Sequence, residues 1–259
     1  MSRTPLRFAT GLAAAVLLAG AGQALAQTPQ APTNAEARAA IVRTDPLSRS
    51  VFWAGEAQAN PADPVAGVNL AQALREMGRH EQAASAAQEV LLSQPDNVEA
   101  MLEVGRAHIA RGQAFYGIAA LERARDLGPR DWRPLSLLGV AYQQVDRKDD
   151  ARAAWNAALI LSPDNPAVLA NVAMTYLTAG DPASAEVLLR RAAAQPGATL
   201  QVRQNLAMVL GLQGKTAEAE QILRRDLPPE VARKNLDWIR EQNGGDRASV
   251  GGRTWDSLQ

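Results

Sequence analysis

The chain of 259 residues contains no cysteine and only two histidines. The first absence excludes disulfides, thiolate-held metals and cysteine nucleophiles together. Neither His80 nor His108 lies three or four residues from a second metal ligand on an inward helical face, so no metal site and no cofactor are expected. His80 falls in a turn beside Glu81 and reads as solvated; His108 stands where an aromatic residue would be usual and reads as packed, with one nitrogen satisfied. Aromatic residues make up 4% of the chain, too few for a β-rich domain, whose strands favour aromatic and β-branched side chains. Basic and acidic residues balance at 27 each, with no basic stripe to follow a phosphate backbone, so nucleic acid is not an expected partner. No nucleophile elbow and no glycine-rich phosphate loop is present, and the carboxylates Asp149 and Asp150 sit on a turn. No catalytic residue and no enzyme activity are therefore expected.

What is abundant is alanine in a helical pattern. The stretch Trp132–Asn165 reads as two short amphipathic helices with Leu135, Leu138, Tyr142 and Trp155 as its bulky positions and Gly139 and Ala151 where the helices touch. Pro163 ends the unit, and Asp164 and Asn165 can cap the next helix. One such hairpin cannot bury its own apolar face, so copies must stack beside it. Pro95, Pro129 and Pro163 are 34 residues apart, and units of that length place small residues in register: Ala71, Gly105, Gly139, Ala173 and Ala207 in the first helix, Ala83, Gly117, Ala151, Ala185 and Ala219 in the second. Between the helices the turn needs a residue that accepts positive φ. Gly78, Gly112, Gly180 and Gly214 supply it, with Asp146 in the third unit.

This pattern resembles a tetratricopeptide repeat. The resemblance implies an all-α, right-handed superhelix, an α-solenoid of antiparallel helix pairs, with five units at 64–97, 98–131, 132–165, 166–199 and 200–233. Residues 35–63 read as a degenerate half repeat, in which Trp53 occupies the place of Trp155 and covers the first full unit. Leu227-Pro228-Pro229-Glu230 breaks the period and starts a capping helix over 228–243, with Ala232, Leu236 and Ile239 on one face.

At the front, Arg3 and Arg7 precede an apolar run from Phe8 to Leu18 and then Ala24-Leu25-Ala26. This is the expectation of a signal peptide over 1–26, cleaved after Ala26, and of a periplasmic protein with a flexible leader over 27–34. The run is shorter than the ~20 apolar residues of a spanning helix. Leu18-Ala19-Gly20-Ala21 would resemble a lipobox only with Cys in place of Ala21, so no lipid anchor is expected. The tail, 244–259, is glycine-rich and polar and reads as disordered; Trp255 within it has either no role or that of a short docking element, in a partner or in the protein's own groove.

A solenoid acts through its inner surface, made mainly by the first helix of each pair. The residues expected there are Asn69, Gln72, Arg75, Glu99, Arg106, Arg133, Ser136 and Gln143, then Ala170, Asn171, Met174, Leu177, Gln204, Asn205 and Met208. A groove polar at one end and lined by methionine at the other suits an extended or helical peptide. Asn69, Asn171 and Asn205 recur at one repeat position; by resemblance to peptide-binding tetratricopeptide domains an asparagine there bonds the ligand backbone, while its alternative is ordinary occupancy.

Signal peptide, five repeats and a terminal RRDLPPEVARKNLDWIR together look like the TadD proteins of Flp (tight adherence) pilus assembly. That resemblance implies an adaptor that binds a pilus-secretion component such as the secretin, with peripheral association at the outer membrane. Many such proteins carry a lipid anchor on cysteine, which this chain lacks. A scaffold for cell-envelope or polysaccharide export is the alternative, and an enzyme the remote one.

Overall fold

In the computed structural model the described residues are 34–244. The signal-peptide segment, the leader up to residue 33, and the tail beyond Gly244 with Trp255 lie outside them. The chain divides into two compact units, residues 1–40 and 41–259. The described part of the first belongs to helix α1, Asn34–Ile41, which has Glu36 in its first turn.

The second unit begins with α2 (Pro46–Ala59) and continues with five hairpins. These are α3 (Pro64–Glu76) with α4 (His80–Ser93), α5 (Val98–Ala110) with α6 (Phe115–Leu127), α7 (Trp132–Gln144) with α8 (Lys148–Leu161), α9 (Pro166–Thr178) with α10 (Pro182–Ala193), and α11 (Leu200–Leu212) with α12 (Thr216–Asp226). Helix α13 (Pro229–Gly244) packs on α11 and α12. The described residues form thirteen helices and no strand, the all-α superhelix that the tetratricopeptide resemblance implies.

Local chemistry explains where each hairpin begins and turns. The first helices start at side-chain caps: Asp63 accepts from the Val65 amide, Asn97 from Ala100, Asp131 from Arg133, Asn165 from Ala167 and Val168, and Thr199 from Val202. Each cap satisfies helical N–H groups that would otherwise lack a partner. All five first helices end alike. The left-handed residue donates three residues back and the next residue five back, as in Gly112 to Ile109 and Gln113 to His108, or Asp146 to Gln143 and Arg147 to Tyr142. This double closure requires positive φ at one position, held by Gly78, Gly112, Gly180, Gly214 and Asp146, whose φ is 59°.

Close approach within a pair depends on missing side chains. A Cβ on Gly139 would lie 2.2 Å from Nε1 of Trp155. Trp155 is fully buried, and its indole donates to the Ser136 carbonyl at 3.1 Å. At the far end, a Cβ on Gly211 would meet Ile239 of α13 at 2.5 Å. Ala232, Leu236 and Ile239 are buried there, so α13 closes the open end of the stack. At the near end, Trp53 of α2 is buried, with its ring edge-on to Phe52.

The apolar core is not the single continuous spine that a regular repeat implies. One cluster joins α5 to α8 and takes in Val168 at the start of α9; another joins α9 to α13. Leu159 packs against both. Contact between α8 and α9 is sparse beside that between α6 and α7 or α10 and α11, and α7 and α9 scarcely touch.

Candidate partner-binding face

The first helices of hairpins one to three carry two clusters of paired charges. Glu103 on α5 is 3% exposed, a burial that a carboxylate tolerates only when paired. It is paired twice: Nε of Arg75 on α3 reaches Oε2 at 2.9 Å and Nη1 of Arg106, one turn along α5, reaches Oε1 at 2.5 Å. On α7, Arg133 forks onto Glu99 of α5 at 2.7 and 3.0 Å and also binds Asp131 at 2.7 Å. The planar guanidinium matches two carboxylates at once. Burial works to raise the Asp131 carboxyl, but the hydrogen bonds from Arg133 and the charge of Arg106 outweigh it and hold it below the usual carboxylate range. Asp131, then Glu99, hold the Arg133 guanidinium above its ordinary value. On α3 the Gln72 amide donates to Glu76, which is paired with Arg49 of α2.

This face therefore gathers three of the expected residues into two clusters: Arg75 and Arg106 share Glu103 between α3 and α5, and Arg133 joins α7 to Glu99 of α5, with Gln72 on α3 nearby. Asn69 is half-buried and spends its amide on the Val65 carbonyl of its own helix at 2.7 Å. Asn171 and Met208 are half-buried, and Met208 packs against the second core. Gln143 lies at the end of α7, away from the arginine row and in a cleft against α9.

Five expected residues, Ser136, Ala170, Met174, Leu177 and Asn205, are buried and do not present a groove surface. Met174 is 3% exposed and belongs to the second core with Leu177 and Ala170, because α9 turns its uncharged face toward α10 and α11. Asn205 is 5% exposed, and its Oδ1 has no hydrogen-bond partner. His108 also differs from expectation. It is 7% exposed and packs beside the Tyr116 ring, but neither ring nitrogen is bonded; burial, with help from Arg111, lowers its pKa.

The residue that sequence reasoning missed is Glu103. Its signal was present, since it holds in the second unit the repeat position of Asn69, Asn171 and Asn205. A charged residue at a position of short amides marks the anchor of the row. Among the described residues no group of three or more His, Cys, Asp or Glu is arranged to hold a metal ion, and no helix is long and apolar enough to cross a membrane.

Stacked helix pairs with a 34-residue period and one polar, accessible face define a helical-repeat scaffold of the kind that binds other proteins. The chain belongs to the tetratricopeptide repeat family: the family's models match residues 68–131, 116–166 and 136–199, and a further one 199–227, more than half of its length. Solved structures agree on the fold. A tetratricopeptide repeat protein of Thermus thermophilus is similar at 22% identity and a TM-score of 0.59, over 67% of this chain and 94% of that one. One from Parabacteroides merdae is similar at 14% identity and 0.64, over 74% and 76%. PilF of Pseudomonas aeruginosa is similar at 14% identity and 0.56, over 76% and 97%. No curated protein matches the chain.

Proposed function

We propose that the protein is a non-catalytic periplasmic adaptor, which binds a component of the Flp pilus assembly machine through the first helices of its hairpins. The observation that carries the binding reading is the Arg75–Glu103–Arg106 and Glu99–Arg133–Asp131 row. Mutual pairing fixes the arginines in place before any partner arrives, so little side-chain freedom is left to lose on binding. The pilus reading is supported by the TadD-like segment Arg224–Arg240, which forms the end of α12 and most of α13. The chain departs from the lipid-anchored pattern of TadD proteins in having no cysteine, so any association with the outer membrane in this reading is peripheral.

The test is co-purification from envelope extracts under mild crosslinking, comparing the wild type with Arg133→Glu. Arg133 is over one-third exposed, so the exchange leaves helical content unchanged. Recovery of the pilus secretin or a neighbouring secretion component, lost in the variant, is the expected result. Recovery of polysaccharide-export proteins instead would favour the scaffold alternative, and equal recovery with both proteins would show that the arginine row is not the binding face.

A further inference from the structure

The junction between the third and fourth hairpins is wedge-shaped. It is closed where Val168 and Leu159 pack, and open toward the other end of α9. The repeat register shows what is missing. Leu74, His108, Tyr142 and Leu210 occupy one position in four units and are at most 9% exposed, whereas Tyr176, their equivalent on α9, is 42% exposed. Tyr142 is covered because it packs onto the preceding hairpin, where its phenol donates to Glu122 at 2.6 Å. The residue 34 positions after Glu122 is Asn156, and Asn156 faces Tyr176 across an open cleft of about 530 Å³. Val172 gives the cleft an apolar wall, and Gln143 stands at its rim. Among the described residues that line it, Lys148 and Arg152 are the charged ones and none is acidic. Among the described residues each cation is paired with an exposed neighbour, Asp146 or Asp149; exposed pairs of this kind exchange partners at little cost.

We propose that this cleft is the docking site for the chain's own segment beyond Gly244, with the Trp255 indole filling the wedge beside Tyr176 and the Asp256 carboxylate facing Lys148 and Arg152. Trp255-Asp256 has the chemistry that the cleft lacks, a large apolar group followed by a negative charge. The segment also starts in the right place. The side-chain amide of Asn243 donates to the Gly211 carbonyl at the end of α11 at 2.8 Å. Gly211 is the register mate of Leu177, which lies between Tyr176 and Thr178 on the adjacent α9. The segment thus leaves beside the same edge of the stack on which the cleft opens. Neighbouring helix axes lie roughly 8–10 Å apart, so crossing from α11 over α9 takes about 20 Å. The eleven residues that follow Gly244 and end at Trp255 span up to about 36 Å. Docked there, the segment would tie the two halves of the stack together.

The absence of native cysteine makes the test direct. In the full chain, Thr178→Cys at the rim is combined with Ser257→Cys, and a control combines Tyr116→Cys on the exposed start of α6 with Ser257→Cys. A disulfide forms only where Cα atoms come within about 7 Å. On dilute mild oxidation the first pair is expected to form an intrachain disulfide, seen as a mobility change without reductant, at least about tenfold faster than the control. Adding Trp255→Ala or Tyr176→Ala should slow it by a similar factor, as loss of a buried aromatic anchor requires. Equal rates for the two pairs, indifference to Trp255→Ala, or disulfides solely between two chains would each overturn the proposal. None of these readouts depends on the identity of an external partner.

Discussion

The Cα of Gly139 lies against the indole of Trp155, so that even one methyl group at residue 139 would sit 2.2 Å from Nε1. Trp155 cannot retreat, since it is fully buried and tied to the Ser136 carbonyl. Gly139→Ala should therefore destabilise the protein by about 1–3 kcal/mol through overpacking. Trp155→Ala should cost about 3–5 kcal/mol through the cavity it leaves. Denaturant titration of both variants checks the order. A loss below about 1 kcal/mol for Gly139→Ala would mean that the third hairpin gives way more easily than its packing indicates.

Glu103 is the keystone of the charged row, buried between Arg75 and Arg106. Removing one partner of a buried pair leaves uncompensated charge and typically costs about 3–5 kcal/mol. Here the arginines are about one-quarter exposed and can recover water, so Glu103→Ala should cost about 1–3 kcal/mol, at the lower end of what loss of charged hydrogen bonds implies. Glu103→Gln, which keeps the shape and one acceptor, should cost less. Chemical denaturation of both variants measures the order, and the losses should change little between low and high salt, because a largely shielded carboxylate is screened weakly.

His108 contributes the opposite sign. Its ring is buried without a hydrogen bond, and its folded pKa lies below the ordinary value of 6.5. The unfolded chain then binds the proton more readily, so stability is present above pH 6.5 and is lost as the pH falls toward the lowered folded value. His108→Phe should raise stability by about 1–2 kcal/mol at neutral pH, by removing unpaired polar atoms, and should flatten the decline that sets in as the pH falls below 6.5. Melting temperatures of both proteins over that range provide the measurement.

Asp146 holds a left-handed turn at φ 59° where the other four units use glycine. A non-glycine residue there carries a cost of about 1–3 kcal/mol, partly offset because glycine loses more freedom on folding. Asp146→Gly should stabilise by about 0.5–1 kcal/mol, despite losing the exposed pair with Lys148. A lower melting temperature would show that the aspartate stabilises its turn in some way that φ does not capture.

Tyr142 should report its own packing. Burial, followed by its hydrogen bond to Glu122, pushes the phenol up to about 12. Its protonated form is favoured in the folded state, so this share of stability persists through pH 10 and is lost as the pH rises toward 12. Tyr142→Phe should remove a late step from the tyrosinate absorbance titration while the fold persists.

The repeat architecture was legible because each unit reuses the same few steric solutions. Pro95, Pro129 and Pro163 give the period, and Gly105 or Gly139 the points where a facing side chain intrudes. The binding face was legible only in part. Arg75, Arg106 and Arg133 follow from the register, and so does the odd place of Glu103 among Asn69, Asn171 and Asn205, but its burial and its two arginine partners arise only once α3 and α5 are stacked. Met174 was misplaced for a related reason. Register arithmetic assumes every first helix is rotated alike, whereas α9 commits Met174 and Leu177 to the core it shares with α10 and α11 and leaves Tyr176 exposed. Departures from exact repetition live in the interfaces, to which no single residue belongs.

The sparse packing between α8 and α9 also bears on how the molecule comes apart. In a linear array, cooperativity passes from one repeat to the next only through the interface they share, and here the transmission is poorest near Leu159. Mild denaturant should release the hairpins on either side as two blocks, with amide exchange rates that group by block. Pulled from its ends, the protein would extend first at the same point, making that junction its mechanical fuse.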